Sequence, residues 1–243
     1  MKILITIPTW NEAAVIEQTL TIVCEVAHSR LAEHEVTIEV ADNGSTDETR
    51  VIVERYTKCE TQNAKRVKFR SIPTRGKGLA IRRSWEQHLA TSDVLLFTDA
   101  DLAADLSVLP EMIRLIEHKE ADLVCGSRFV AGARVSRRFL REIASHAYRV
   151  LQLLILRLPV QDAQCGLKAI SASAARQLLP LCRETGWMFD SEILFLAKRE
   201  CFRVKETPVS WVEHRNPDRR SAIWLFRDGW VFLLGLARIS ITH

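Results

Sequence analysis

Val94-Leu95-Leu96-Phe97-Thr98-Asp99-Ala100-Asp101-Leu102 joins an uncharged apolar run to two carboxylates separated by one residue. The run is too short for an ordinary helix, and its unbroken apolar character predicts a strand buried on both faces. Comparable runs at 3–7, 36–41 and 67–72 each lead into a helical pattern, beginning near Glu12, Thr46 and Lys77, and 122–126 continues the series. This βαβ rhythm predicts an α/β, Rossmann-like domain: a mostly parallel central sheet with helices on both faces. Such sheets bind ligands beyond the carboxyl ends of their strands, so the polar residues after each run are the candidates for chemistry.

Along an extended chain, residues i and i+2 project to the same side, so Asp99 and Asp101 can meet one divalent cation. Mg²⁺ or Mn²⁺ held by one or two carboxylates and completed by a diphosphate suits such hard oxygen donors. After the first run comes Pro8-Thr9-Trp10-Asn11-Glu12, where the proline stops the ladder and Asn11 is suited to cap the next helix. After the second comes Asp42-Asn43-Gly44-Ser45-Thr46-Asp47. A tight turn at Gly44 and a cap from Ser45 or Thr46 explain its last four residues but give no reason for Asp42, which is placed to accept from a base or ribose. Arg75-Gly76-Lys77-Gly78 lets backbone approach a ligand and offers a cation to phosphate, without the spacing of a phosphate loop or dinucleotide fingerprint.

Gly126-Ser127-Arg128 ends the fifth run, and Arg134, Arg137, Arg138 and Arg141 follow. Arginine forks suit phosphate, although a solvated face accounts for Arg134 and Arg137. Asp162 precedes a turn at Gln164-Cys165-Gly166, and Asp190 and Glu192 open a helix in Trp187-Met188-Phe189-Asp190-Ser191-Glu192. Base and cap are both open readings there.

The chain of 243 residues suits one domain, and no repeat or linker divides it. A formal charge of +4 is too mild to indicate nucleic acid. The six cysteines show neither a C-x-x-C pair nor zinc-ligand spacing and read as reduced thiols. The short apolar amino terminus ends at a proline without a cleavage site, and no apolar stretch approaches the roughly 20 residues of a bilayer span. Residues 150–160 and 224–237 instead read as amphipathic helices, and 203–211 as a further strand. The expectation is a cytoplasmic protein, peripheral at the cytoplasmic membrane face, with Trp224, Phe226, Trp230 and Phe232 as surface anchors.

Taken in order, P-T-W-N-E at 8–12, D-N-G-S-T-D at 42–47, R-G-K-G at 75–78, D-A-D at 99–101, G-S-R at 126–128, D-A-Q-C-G at 162–166 and W-M-F-D-S-E at 187–192 resemble family 2 of the nucleotide-sugar glycosyltransferases with the GT-A fold. They resemble in particular the polyprenyl-phosphate (dolichyl-phosphate) sugar transferases, with the G-K-G, Q-C-G and W-x-F-D-x-E forms similar to the glucosyl branch more than the mannosyl one. The resemblance implies that 1–130 holds the nucleotide sugar and 131–243 builds the acceptor side. It implies that Pro8, Trp10, Glu12, Asp42, Lys77, Asp99, Ala100 and Asp101 contact the donor, a UDP-sugar by preference, and that Asp99 and Asp101 hold Mg²⁺ or Mn²⁺. Arg128, Arg141 and Ser145 would take the acceptor phosphate, and Asp101 and Asp162 are the catalytic candidates.

Three positions depart from that pattern. Asn43 stands where many relatives have a second aspartate, Ala103 where mannosyl relatives place glutamine beside the metal, and no spanning tail follows the motifs. The implied reaction is an inverting attack of polyprenyl phosphate on the anomeric carbon, for which Asp162 would position rather than deprotonate. A hydroxyl acceptor would require a base, with Asp162 or Asp190 as candidates. A nucleotidyltransferase is disfavoured because 8–12 holds no glycine-rich loop, a processive polysaccharide synthase because Q-x-x-R-W is absent, and a non-catalytic sugar-nucleotide binder stands as the remaining alternative.

Overall fold

The structure, a computed structural model, describes residues 1–58, 67–136, 139–212 and 225–243, and omits the side chains of 58, 139–144, 147 and 225–231. Strands β1 (Lys2–Thr9), β2 (Glu35–Asp42), β3 (Val67–Ser71), β4 (Val94–Thr98) and β5 (Leu123–Ser127) alternate with helices α1 (Ile16–Ser29), α2 (Thr49–Lys58), α3 (Lys77–His88) and α4 (Leu109–Glu117). Next come β6 (Arg134–Ser136), α5 (Phe139–Leu156), β7 (Leu167–Ser171), α6 (Ala172–Leu178), α7 (Phe189–Arg199), β8 (Val204–Pro208), β9 (Ser210–Val212) and α8 (Leu225–Thr242). The main sheet runs β3-β2-β1-β4-β7-β5-β8, and β6 pairs with β9 in a second sheet. Every pairing in the main sheet is parallel except those of β7, which runs against both β4 and β5.

Period-two alternation splits the core into two layers. Ile3, Ile5, Ile7, Val94 and Leu96 face one side, under Ile16, Leu20 and Val23 of α1 and Met112 and Ile113 of α4. Leu4, Leu95 and Phe97 face the other, where Ile81 and Trp85 of α3 and Phe189 and Ile193 of α7 cover them. Trp85 lies 6.0 Å from the Phe97 ring and meets Phe189 edge-on at 6.2 Å. Each such fully buried aromatic contributes about 1.5–3 kcal/mol over exposure, which fixes α3 and α7 on the face behind the carboxyl edge.

Four local expectations are corrected. Asn11 does not cap α1, which begins at Ile16 behind Val15. Asn11 takes a left-handed turn (φ 53°) and its Oδ1 accepts from the Thr46 amide at 2.8 Å, tying the first two loops together. Pro8 does not end its strand, since β1 pairs with β2 through Thr9 and Asp42. The segment 203–211 is not one strand: a break at Val209 sends β8 to the main sheet and β9 to the small one. The D-A-D carboxylates lie on a turn after β4 rather than on extended chain, with the Leu102 amide donating to the Asp99 carbonyl at 3.1 Å, so their nearness comes from that turn and not from strand alternation.

Candidate active site

The order of β2, β1 and β4 reverses chain progression beside β1, and the crevice there is where an open α/β sheet takes its ligand. Asp42 lies on its β2 wall, buried, accepting from the amides of Gly44 (3.2 Å) and Ser45 (3.1 Å) and from the Ser45 hydroxyl. Asn43 binds the Thr9 carbonyl through its amide nitrogen (3.3 Å), and its oxygen accepts from the Gly76 amide (3.0 Å). One side chain therefore joins β1, β2 and the R-G-K-G loop. Trp10 is exposed at the mouth with the Arg75 guanidinium 3.5 Å from its ring centroid. Pro8 is buried beside them, and the Glu12 amide donates to Thr49 Oγ1 at 2.9 Å.

Beneath this edge lies a chain of alternating charges. Lys168 Nζ donates to Asp190 Oδ1 at 2.6 Å, Lys77 Nζ sits 3.3 Å from Asp190 Oδ2, and the same ammonium meets Asp99 Oδ1 at 2.7 Å. Lys168 and Asp190 are fully buried, Lys77 nearly so, while the Asp99 side chain keeps 36 % of its surface open, enough for a ligand to reach it. Burial pulls the Lys77 pKa down, but the Asp190 and Asp99 carboxylates outweigh it and hold the ammonium above the usual lysine value. Burial raises the Asp99 carboxyl above its ordinary value against the pull of Lys77, and the nearby Asp101 charge adds to the rise. Asp101 Oδ1 accepts from the Ala103 amide at 3.1 Å, and the methyl of Ala103 is buried. Leu102, a bulky residue at φ 48°, holds the turn by burying its side chain in the core.

Two glycines make room for this arrangement. The Asp99 amide donates to the Gly166 carbonyl at 3.0 Å, and a Cβ on Gly166 would overlap Asp99 Oδ2. A Cβ on Gly78 would overlap the Cβ of Phe189, so α3 lies close against α7. The Gly78 and Leu79 amides donate to the carbonyls of Gly186 (3.2 Å) and Thr185 (2.9 Å). Glu192 fixes that carbonyl loop by accepting from the amides of Arg183 (2.9 Å) and Glu184 (2.8 Å). Neither Asp190 nor Glu192 caps α7: Glu192 anchors backbone and Asp190 binds two lysines.

On the β5 side, Arg128 clamps Asp162 through Nε (2.6 Å), a terminal nitrogen (2.8 Å) and its backbone amide (2.9 Å). Burial alone would raise the Asp162 carboxyl, but the guanidinium dominates and holds it below the ordinary aspartate value. Glu206 supports the clamp by accepting from the amides of Gln161 (2.9 Å) and Asp162 (3.0 Å). Cys165 lies nearby, and burial pushes its thiol up to about 12, keeping it protonated. Ser145 is half-buried on α5 and Arg134 is exposed. Arg137, Arg138 and Trp224, and the side chains of Arg141, Phe226 and Trp230, lie outside the described residues.

The structure thus gathers Asp42, Lys77, Asp99, Ala100 and Asp101 along one rim, with Arg128 and Asp162 beyond β7. Lys168 and Glu206 are supports that the motifs did not bring out, and Asn43, within its motif, is a third support. A lysine inside the otherwise apolar run Leu167-Lys168-Ala169-Ile170 was the available signal, because a buried ammonium requires a partner.

A sequence profile of the family described as Glycosyl transferase family 2 matches residues 4–179. The chain is similar to the glycosyltransferase AglD of Haloferax volcanii, 33 % identical over 228 residues that cover 94 % of this chain and 35 % of that protein. It is similar to the dolichyl-phosphate beta-glucosyltransferases of Dictyostelium discoideum (31 % over 183 residues; 72 % of this chain, 55 % of the other) and Saccharomyces cerevisiae (30 % over 227; 86 % and 66 %). The chain therefore spans 35–66 % of the length of these relatives. Among solved structures, glucosyl-3-phosphoglycerate synthase from Mycobacterium tuberculosis with Mn²⁺, uridine diphosphate and phosphoglyceric acid superposes with a TM-score of 0.68 at 21 % identity, covering 98 % of this chain and 78 % of the other. That likeness shows the GT-A fold. With the GT-A sheet in place and the profile reaching from β1 through β7, the chain belongs to glycosyl transferase family 2.

Proposed function

We propose that this chain transfers a hexose, glucose by preference, from a UDP-sugar to polyprenyl phosphate with inversion at the anomeric carbon. Trp10, Glu12 and Asp42 hold the nucleoside, and Lys77, charged and nearly buried, faces the diphosphate beside Asp99. A divalent cation suits this rim: two hard oxygen donors stand on one turn, one of them open to ligand, and among the described residues no third His, Cys, Asp or Glu joins them, leaving the other positions to phosphate and water. Mg²⁺ or Mn²⁺ bound there would stabilise the charge that develops on the departing nucleotide.

A lipid phosphate oxygen forms the new bond to the anomeric carbon as the bond to the nucleotide oxygen breaks, and the electron pair leaves with the diphosphate. The observation that carries the acceptor assignment is the state of the two carboxylates offered as bases. Asp162 is clamped by Arg128 with its pKa lowered, and Asp190 has a lysine on each oxygen. A hydroxyl acceptor needs a free base, whereas a phosphate is already anionic at neutral pH. The dolichyl-phosphate relatives point the same way. Arg128, with Arg141 and Ser145 of α5, is the proposed phosphate-binding group.

No helix among the described residues is long and apolar enough to cross a membrane. Val150 and Leu154 of α5 and Leu234 and Ile241 of α8 are exposed, which supports peripheral contact with a membrane surface, here assigned to the cytoplasmic face. Incubation with labelled UDP-glucose, polyprenyl phosphate and Mn²⁺ is expected to move label into the organic phase, and Asp99→Ala or Asp101→Ala to abolish it with the fold retained. Label appearing only in a water-soluble glycan would overturn the acceptor assignment.

A further inference from the structure

Asp99 is aimed by contacts that reach well behind the rim. Its Oδ1 lies on Lys77, Lys77 lies on Asp190, and Asp190 is held from beneath by Lys168, whose ammonium also donates to the Cys165 carbonyl at 2.8 Å. The four side chains come from α3, the turn after β4, β7 and α7, so the chain of charges ties the central sheet to both helices that cover this face. Lys168 and Asp190 are 1 % exposed and touch no open part of the crevice. Stability alone is a poor reason for such a pair, because a buried ion pair is commonly no better than well-packed apolar side chains. Among the described residues, Lys77 without Asp190 would keep Asp99 and the faces of Phe97 (5.1 Å) and Trp187 (5.3 Å).

We propose that Asp190 and Lys168 are positioning residues: the buried pair fixes the Lys77 ammonium, and through it the Asp99 carboxylate, in the orientation that meets the cation of the nucleotide-sugar complex. The proposal rests on the donor site described under the proposed function. Lys77 is shared between two carboxylates, so neutralising Asp190 leaves the ammonium wholly to Asp99. Asp99 is then more tightly paired and less available to a divalent cation. Gly166 sets the other side of Asp99, leaving it little freedom to compensate.

The test uses the full chain with uridine diphosphate and Mn²⁺ as probes. Lys168→Met combined with Asp190→Leu removes both buried charges at once and leaves neither unpaired, so thermal unfolding is expected to remain a single wild-type-like transition. Metal-free uridine diphosphate titrated calorimetrically is expected to bind within about twofold of wild type. Mn²⁺ affinity of the nucleotide complex, read by electron paramagnetic resonance, is expected to fall at least about tenfold, or 1.4 kcal/mol. In a Lys77→Met background the same pair of substitutions is expected to change Mn²⁺ affinity little, because the link has been cut. Should the double variant fail to fold, the closer-fitting pair Lys168→Gln with Asp190→Asn, which likewise leaves no buried charge unpaired, carries the same expected direction. Mn²⁺ affinity unchanged in the folded variant overturns the positioning role, whereas a wild-type chain that binds neither uridine diphosphate nor Mn²⁺ overturns the donor site itself and the proposal with it.

Discussion

Arg128 lays its guanidinium along Asp162 so that Nε meets Oδ2 at 2.6 Å and a terminal nitrogen meets Oδ1 at 2.8 Å. Both partners are largely buried, so each depends on the other for solvation. Asp162→Asn strands a buried guanidinium and is expected to cost about 3–5 kcal/mol in urea unfolding. The sign of its pH dependence follows from the lowered pKa: the contribution is complete above the unfolded aspartate value of about 4 and is lost as pH falls through the folded one. Wild type and variant should therefore differ by a constant margin at neutral pH and converge in acid.

Gly166→Ala places a methyl on Asp99 Oδ2, and the carboxylate must swing away. Transfer activity is expected to fall at least about 100-fold, roughly 3 kcal/mol of barrier. The melting temperature should shift far less, because the displaced group is a side chain near the crevice rather than core. Activity near wild type would remove Asp99 from its assigned role.

Asn43→Asp, a near-isosteric change, is expected to destabilise. Asn43 donates to the Thr9 carbonyl, and a carboxylate would set oxygen against oxygen while still accepting from Gly76. A cost of about 1–3 kcal/mol is expected from chemical denaturation.

Trp10→Ala is expected to weaken uridine diphosphate binding by about 1–3 kcal/mol, the range for an aromatic ring stacked on a base. The Michaelis constant for polyprenyl phosphate should hardly move, since Trp10 stands on the β1 side and the Arg128 clamp beyond β7. Calorimetry and steady-state kinetics together separate the two effects.

The parallel half of the sheet was legible because its apolar runs and helical patterns alternate with clear polar ends, and α3 begins at Lys77 as the helical pattern suggested. Strand direction was not legible in β7, since Leu167-Lys168-Ala169-Ile170 reads equally well either way. The break at Val209 was hidden because each half keeps strand-like residues, and only the sheet each joins distinguishes them. At the site, Asp42, Lys77, Asp99 and Arg128 stood out as polar groups after apolar runs, and Asp162 through the resemblance. Their supports did not, because the Lys168–Asp190 and Asp162–Glu206 links join residues far apart in the chain, where periodicity carries no information.

The reversal of β7 sets how this molecule can diversify. Chain leaves the sheet at Ser127 and re-enters at Leu167 on the same rim, so everything between hangs as a single excursion whose two feet stand beside one another. Lengthening or recasting that excursion beyond β6 need not alter any strand pairing, and the loops beside β1 would be untouched. On the proposed function, such a scaffold is thereby free to change its acceptor while keeping its donor site.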